Sequence, residues 1–120
     1  MKTKPIIPVF RIFDADKAKE FYIDFLGFKI DFEHTFEEGL PIYMQVSRDG
    51  WHIHLSEHHG DCCPGSAIML EMTGVKKFQE ELLAKKYKHA RPGCDKTEWG
   101  TIEMRIADPF GNKLTFFENT

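Results

Sequence analysis

The side chains able to do chemistry fall in a few short stretches of the 120-residue chain. His52 and His54 stand two apart in Trp51-His52-Ile53-His54-Leu55, so an extended backbone turns both imidazoles to one side. Glu71, Glu103 and Arg105 lie in segments with the same alternation. A buried carboxylate beside an imidazole can serve as acid and base. The same residues can equally form a hydrogen-bonded structural network, and no nucleophile stands out. His58-His59-Gly60-Asp61-Cys62-Cys63 is rich in metal donors, but adjacent ligands splay apart. The zinc-site spacing of roughly two to four residues is missing, so this stretch reads as a polar loop. Trp99, in Glu98-Trp99-Gly100, is the better candidate for stacking on a flat ligand, whereas Trp51 follows Gly50 in a turn and reads as a packing residue.

Composition decides which partners such groups could serve. Lys plus Arg total 16 against 19 for Asp plus Glu, a formal net charge of −3, and neither sign forms a block. A phosphate backbone needs a concentrated basic face, so a nucleic-acid groove is not expected. No apolar run approaches the ~18 residues of a spanning helix, and Met1-Lys2-Thr3-Lys4 leads into no long hydrophobic segment, so no membrane partner is expected. The three cysteines, two of them adjacent, make a poor disulfide framework and fit a reducing compartment. The expected localisation is cytoplasmic. Hydrophobic residues at 42% and charged residues at 29% suit a chain that buries a core, and the length suits one domain, 1–120. Eleven Phe residues need somewhere to pack, in that core or along a site.

A repeat organises the chain. Tyr43-Met44-Gln45-Val46 stands 60 residues before Glu103-Met104-Arg105-Ile106, and the stretch from Gly50 to Glu57 stands 61 before that from Gly111 to Glu118. Upstream, the stretch from Phe21 to Leu26 stands 57 before that from Phe78 to Leu83. Residues 6 to 13, rich in Ile, Val and Phe, read as a strand. Asp14 then caps a helix whose Ala18, Phe21, Tyr22, Phe25 and Leu26 form one apolar stripe, ended by Gly27. Strands follow at 28 to 33, 41 to 47 and 51 to 56, and Arg48-Asp49-Gly50 favours a hairpin between the last two. The second half repeats this order with a strand at 67 to 72 and a helix at 75 to 86 that turns Val75, Phe78, Leu82 and Leu83 inward. A weak strand near 87 to 91 and strands at 101 to 107 and 112 to 118 complete it, with Asp108-Pro109-Phe110-Gly111-Asn112 as the second turn. The expected class is α+β: two βαβββ modules, about 5–57 and 66–120, with helices outside and free sheet faces curving into a cup.

Alternation sorts the strand residues onto two faces. Ile42, Met44, Val46, Ile53, Leu55, Ile68, Leu70, Met72, Ile102, Met104, Ile106, Leu114 and Phe116 belong under the helices. The alternate set, Tyr43, Gln45, His52, His54, Ser56, Ala67, Met69, Glu71, Glu103, Arg105, Lys113, Thr115 and Phe117, is polar and aromatic. Such a face suits a ligand pocket, and it also suits a solvated sheet surface. Pro8 lacks an N–H and points to an edge or bend in the first strand.

With the elements in order, three motifs resemble a known group. They are Phe21-Tyr22-Ile23-Asp24-Phe25-Leu26-Gly27-Phe28 after a strand ending in Asp14, Trp99-Gly100, and Asp108-Pro109-Phe110-Gly111-Asn112-Lys113-Leu114. The group is the glyoxalase, bleomycin-resistance and extradiol-dioxygenase family, the vicinal oxygen chelate superfamily, and the resemblance covers nearly the whole chain. It implies paired βαβββ modules and a homodimer. Metal-dependent members place ligands on the first and last strand of each module, positions that fall here on Ile7, His54, Ala67 and Thr115. Three side chains with neither imidazole nor carboxylate cannot complete a divalent-ion shell, and His52 nearby leaves the set too small. No metal and no other cofactor is expected, and chemistry that needs a Lewis acid loses its basis.

The chain is most similar to the bleomycin-resistance proteins, which the resemblance describes as metal-free dimers that sequester a drug in two grooves and exchange N-terminal strands. Trp99 matches the groove tryptophan of that group, and Pro8-Val9 matches the proline where the arm crosses over. Phe36, in Glu33-His34-Thr35-Phe36-Glu37-Glu38-Gly39, is the candidate for the opposite stacking face. The expected ligand is a planar or cationic compound, bleomycin-like or otherwise aromatic. Its binding residues would be Trp99, Phe36, Tyr43, His52, His54, Glu71, Glu103, Arg105 and Phe117, with Glu33, Glu37 and Glu38 adding favourable charge. No catalytic residue is assigned. The alternative is an enzyme, either a metal-dependent lyase or dioxygenase or a metal-free isomerase with Glu71 or Glu103 as base.

Overall fold

Turn chemistry and strand alternation build the same succession of elements twice. The computed structural model describes residues 1–120. The first half runs β1 (Val9–Arg11), α1 (Ala15–Lys19) continued by a π-helical segment (Glu20–Phe25), β2 (Lys29–Thr35), β3 (Ile42–Arg48) and β4 (Trp51–Ser56). The second runs β5 (Ala67–Glu71), α2 (Val75–Ala84), β6 (Cys94–Lys96), β7 (Thr101–Ala107) and β8 (Lys113–Asn119). Each half forms a four-stranded sheet, ordered β1-β4-β3-β2 and β5-β8-β7-β6. In both, the first strand lies parallel to the last and the remaining neighbours are antiparallel. The α+β architecture of two βαβββ units is the one that forms.

Local chemistry accounts for the joints. Asp14 caps α1 by accepting from the Lys17 amide at 2.9 Å. Asp49 and Gly50 take φ values of 48° and 92°, the left-handed pair that a two-residue hairpin requires. Gly27 closes the first helical run at φ 77°, where an added Cβ would sit 2.7 Å from Arg48 Nη1. That guanidinium donates to the Leu26 carbonyl at 2.6 Å, satisfying a helix-end acceptor.

The face assignment holds in the core. Met44, Val46, Ile53, Leu55, Leu70, Met104, Leu114 and Phe116 are buried against Phe21, Tyr22, Phe25, Leu26, Val75, Phe78 and Leu82. Each such side chain contributes about 1.5–3 kcal/mol by leaving water. A polar knot joins the halves. Tyr22 donates to Asp108 Oδ2 at 2.7 Å, while Asp108 Oδ1 accepts from the amides of Phe110 and Asn112 at 2.9 and 2.8 Å. Asn112 Nδ2 donates to Asp108 Oδ2 and to the Arg11 carbonyl, both at 2.9 Å. The Asp108 to Asn112 motif is therefore a turn that fastens the second half to the first.

Several expected boundaries move, each for a physical reason. β1 covers only Val9–Arg11 rather than 6 to 13; Pro8, which has no N–H for a ladder, sets its start. β2 runs on to Thr35, since its pairing with Ile42, Tyr43 and Met44 satisfies the backbone of Glu33, His34 and Thr35. Glu33 thereby lies opposite Met44, on the helix side, where Lys19 pairs with it at 2.6 Å. It does not face the cup. The first helical run widens to π geometry, with the Leu26 amide bonding back to the Phe21 carbonyl five residues earlier.

Leu83 is not inward but 42% exposed, and Gln79 takes the fourth place of the stripe Val75, Phe78, Gln79, Leu82. Its buried amide donates to the Pro92 carbonyl at 3.0 Å. α2 stops at Ala84 rather than 86, and residues 87 to 91 form no strand. The edge strand is Cys94–Lys96, beyond Pro92-Gly93, which breaks extended pairing.

The sheets lie side by side in a body of 47 × 44 × 22 Å. Its radius of gyration, 15.0 Å, exceeds the roughly 13.6 Å of a compact chain of this length. Neither sheet closes into a barrel.

Candidate functional site

On the first sheet, the β3–β4 register sets Gln45 beside His54, Tyr43 beside Ser56 and Ser47 beside His52. A bulge between Ile30 and Phe32 gives Asp31 an unpaired place on this face. Its carboxylate accepts from Gln45 Nε2 at 2.8 Å and from Ser47 Oγ at 3.0 Å. Gln45 Oε1 meets His54 Nε2 at 2.8 Å, and the Tyr43 hydroxyl meets His54 Nδ1 at 2.6 Å. The Phe32 ring stands edge-on to the imidazole at 5.7 Å. Burial, with the charge of His52 second, lowers the His54 pKa. The bonds from Gln45 and Ser47 lower that of Asp31, and burial raises that of Tyr43.

His52 points to the same side but stays exposed and outside this network. It lines a hollow of about 290 Å³ with Ile6, Trp51 and Met69. Trp51 packs as expected, stacked on Phe28 at 6.4 Å and edge-on to Phe116 at 5.6 Å. The His58 to Cys63 loop is tied down by Ser56, which donates to Asp61 at 2.7 Å and accepts from the His58 amide at 3.0 Å. Its thiols are unpaired, and burial, helped by Asp61, pushes the Cys62 thiol up.

The second face is ionic. Register aligns Glu71, Phe117, Glu103 and Asp95 in one row across β5, β8, β7 and β6. Glu103 is only 5% exposed, and it accepts from Thr101 Oγ1 at 2.9 Å and from Arg105 Nη2 at 2.8 Å. Burial alone would raise its pKa, but hydrogen bonds from Arg105, Thr101 and Trp99 outweigh burial and lower it. Trp99 is 69% exposed at the β6–β7 turn, which Gly100 closes at φ 89° and the Thr97 and Thr101 hydroxyls clasp at 2.6 Å. Phe117 is half-buried, and the exposed Glu71 accepts from Asn119 at 3.0 Å.

The expected site residues thus divide. Tyr43 and His54 meet on the first sheet, with His52 apart from their network and Phe36 beyond the end of β2. Glu103 and Arg105 bond on the second, with Trp99 at their edge and Phe117 and Glu71 in the adjoining row. A larger hollow, about 740 Å³, lies elsewhere, between Phe13, Lys17, Tyr87, His89 and Phe110. One chain does not wrap the expected residues around one pocket. Sequence reasoning assigned no role to Asp31, Phe32, Gln45 or Thr101. Alternation already put Gln45 on this face, but nothing in the sequence announces the bulge that brings Asp31 there.

A family model described as glyoxalase superfamily protein matches residues 1–120. The chain belongs to the glyoxalase superfamily. No curated protein matches it. Among solved structures it is similar to the bleomycin-binding protein of bleomycin-producing Streptomyces verticillus complexed with copper(II)-bleomycin. The TM-score is 0.73 at 22% identity, over 100% of this chain and 99% of that one. A bleomycin-binding protein complexed with bleomycin gives 0.72 at 21% identity, over 98% and 100%. TnmS3, an antibiotic binding protein from Streptomyces sp. CB03234, gives 0.69 at 20%, over 100% of both chains. These likenesses establish the fold.

The residues of this glyoxalase-superfamily chain do not fit the metal of the superfamily's metal-dependent members. Ile7 and Ala67 have no donor atom, Thr115 has only a neutral hydroxyl, and both ring nitrogens of His54 are already engaged. No group of three or more His, Cys, Asp or Glu is placed to hold an ion.

Proposed function

We propose that this chain is a metal-independent small-molecule binding protein that sequesters a planar, cationic compound between two of its copies. One observation carries the reading: beside the two organised sheet faces, Trp99 at 69%, Phe36 at 83%, Met69 at 60% and Ile6 at 91% exposure are left uncovered. Uncovered aromatic and apolar side chains beside a polar sheet face suit an interface or a ligand groove. A two-fold axis that sets the first sheet of one copy against the second sheet of the other covers both at once. The exposed residues 1–7 would cross to the partner in that arrangement.

In such a groove Trp99 and Phe36 supply stacking surfaces, and Glu71 and Glu103 supply charge for a cation. Tyr43, His52, His54, Arg105 and Phe117 line the remainder. The lowered pKa of Glu103 favours this reading over an isomerase that uses Glu103 as base, since a carboxyl held as an anion is a poor proton acceptor and a good fixed charge. The fold likeness makes bleomycin the first compound to try. A titration of EDTA-treated protein with bleomycin, followed by tryptophan fluorescence, should quench Trp99 at one site per chain. Trp99→Ala should lose the response, while Trp51 keeps its emission. An unchanged signal in wild-type protein, or equal quenching in the variant, refutes the stacking role.

A further inference from the structure

We propose that Asp31 sets the direction of the hydrogen-bond chain on the first sheet, so that Tyr43 presents its phenolic oxygen to a ligand purely as an acceptor. The site then takes compounds that carry N–H or O–H donors, ammonium and guanidinium groups above all. The ligand class rests on the binding reading above; the direction of the chain does not.

The direction follows from the inventory of protons. An ionised carboxylate has none to give, so both partners of Asp31 donate to it, Ser47 Oγ at 3.0 Å and Gln45 Nε2 at 2.8 Å. An amide carries its donors on one end and its acceptor on the other. Committing Nε2 to Asp31 therefore turns Gln45 Oε1 to the imidazole, 2.8 Å from His54 Nε2. That oxygen only accepts, so Nε2 carries the hydrogen. A neutral imidazole has one N–H, which leaves Nδ1 bare. The 2.6 Å bond from Tyr43 to Nδ1 then uses the phenol's own proton. What remains on Tyr43 is a pair of lone-pair directions. A carboxylate, carbonyl or phosphate brought there meets lone pairs with lone pairs, whereas an ammonium finds an acceptor.

The second sheet differs. Sixty residues on, the position of Tyr43 is taken by Glu103, whose carboxylate is 5% exposed with both oxygens bonded, to Arg105 and Thr101, while the Arg105 side chain is 65% exposed. The free acceptor is therefore a property of the first face. The lowered pKa of His54 accords with the neutral ring.

The direction is tested without any ligand. In protein labelled with 15N-histidine, NMR at neutral pH should find His54 protonated at Nε2 and bare at Nδ1; the opposite tautomer overturns the proposal. Asp31→Asn can donate through its amide and removes the constraint, so the Nε2–H population should fall. An unchanged tautomer in that variant removes Asp31 from the account. Should the variant fail to fold, the wild-type tautomer still decides the direction.

Ligand class is read with two probes that share one ring, 2-naphthylmethylammonium and 2-naphthoate, by titration calorimetry. The ammonium should bind at least roughly tenfold more tightly, and Tyr43→Phe should narrow the gap. Equal affinities, a preference for 2-naphthoate, or a gap untouched by Tyr43→Phe overturns the ligand class. If neither probe binds while the tautomer is as expected, the binding reading fails together with the ligand class, and the direction of the chain stands.

Discussion

The two sheets share a scaffold and hold different chemistry. Across the repeat, Tyr43 corresponds to Glu103, Gln45 to Arg105, His54 to Thr115 and Ser56 to Phe117. The first face is a phenol and an imidazole, held through an amide to one carboxylate. The second is a covered carboxylate clamped by a guanidinium and a hydroxyl, beside an exposed indole. Corresponding places in the repeat therefore hold a hydrogen-bonded phenol, imidazole and amide on the first face and an ion pair on the second.

The comparison presupposes that the halves fold as one body, and Asp108 is where that can be broken. Asp108→Ala leaves Tyr22, Asn112 and the turn amides without their acceptor and should cost about 3 kcal/mol or more in urea unfolding. The transition should stay single; two separate transitions would make the sheets independent units. Next in size, Trp99→Ala should reduce bleomycin affinity by about 2 kcal/mol, roughly thirtyfold, in titration calorimetry. Its stability should stay within about 0.5 kcal/mol of wild type, because the indole is largely exposed.

Tyr43→Phe should cost about 0.5–1.5 kcal/mol by leaving His54 Nδ1 unpaired, measured by the same unfolding experiment. A smaller effect separates the faces by pH. His54 lies below its ordinary 6.5 in the folded chain, so the unfolded chain takes up its proton first. Stability from the first face is full above pH 6.5 and is lost as pH falls through the folded value. Glu103, held below 4.5, contributes fully above that pH and loses its share only as pH falls through its lower folded value. Urea midpoints of His54→Gln and Glu103→Gln against wild type should therefore converge in two different pH windows. Smallest of all, Leu83→Lys should change stability by less than about 0.5 kcal/mol, since that side chain is 42% exposed.

The fold was legible because two periodicities and one repeat agree. Alternation in Tyr43-Met44-Gln45-Val46 and in its counterpart from Glu103 places each side chain on a face, and the stripe from Ala18 to Leu26 seats the first helical run. Leu83 was misread because an amide, Gln79, fills a core position to satisfy the Pro92 carbonyl, a tertiary demand that hydropathy does not carry. The β6 position was misread because three paired residues leave almost no pattern. The site was half legible. Tyr43, His54, Glu103 and Arg105 follow from alternation, whereas Asp31 reaches its partners only through a bulge. The division of the expected residues between two sheets follows from the repeat, whereas whether the two faces meet around one pocket depends on how the halves pack, which no spacing encodes.

A crystal structure of the protein grown with bleomycin and EDTA tests the central claim most directly. The account predicts the flat part of the drug against Trp99, between the first sheet of one copy and the second sheet of its partner, with no ion held by protein side chains. A drug seated away from both sheets, or an ion coordinated at His54, would contradict it.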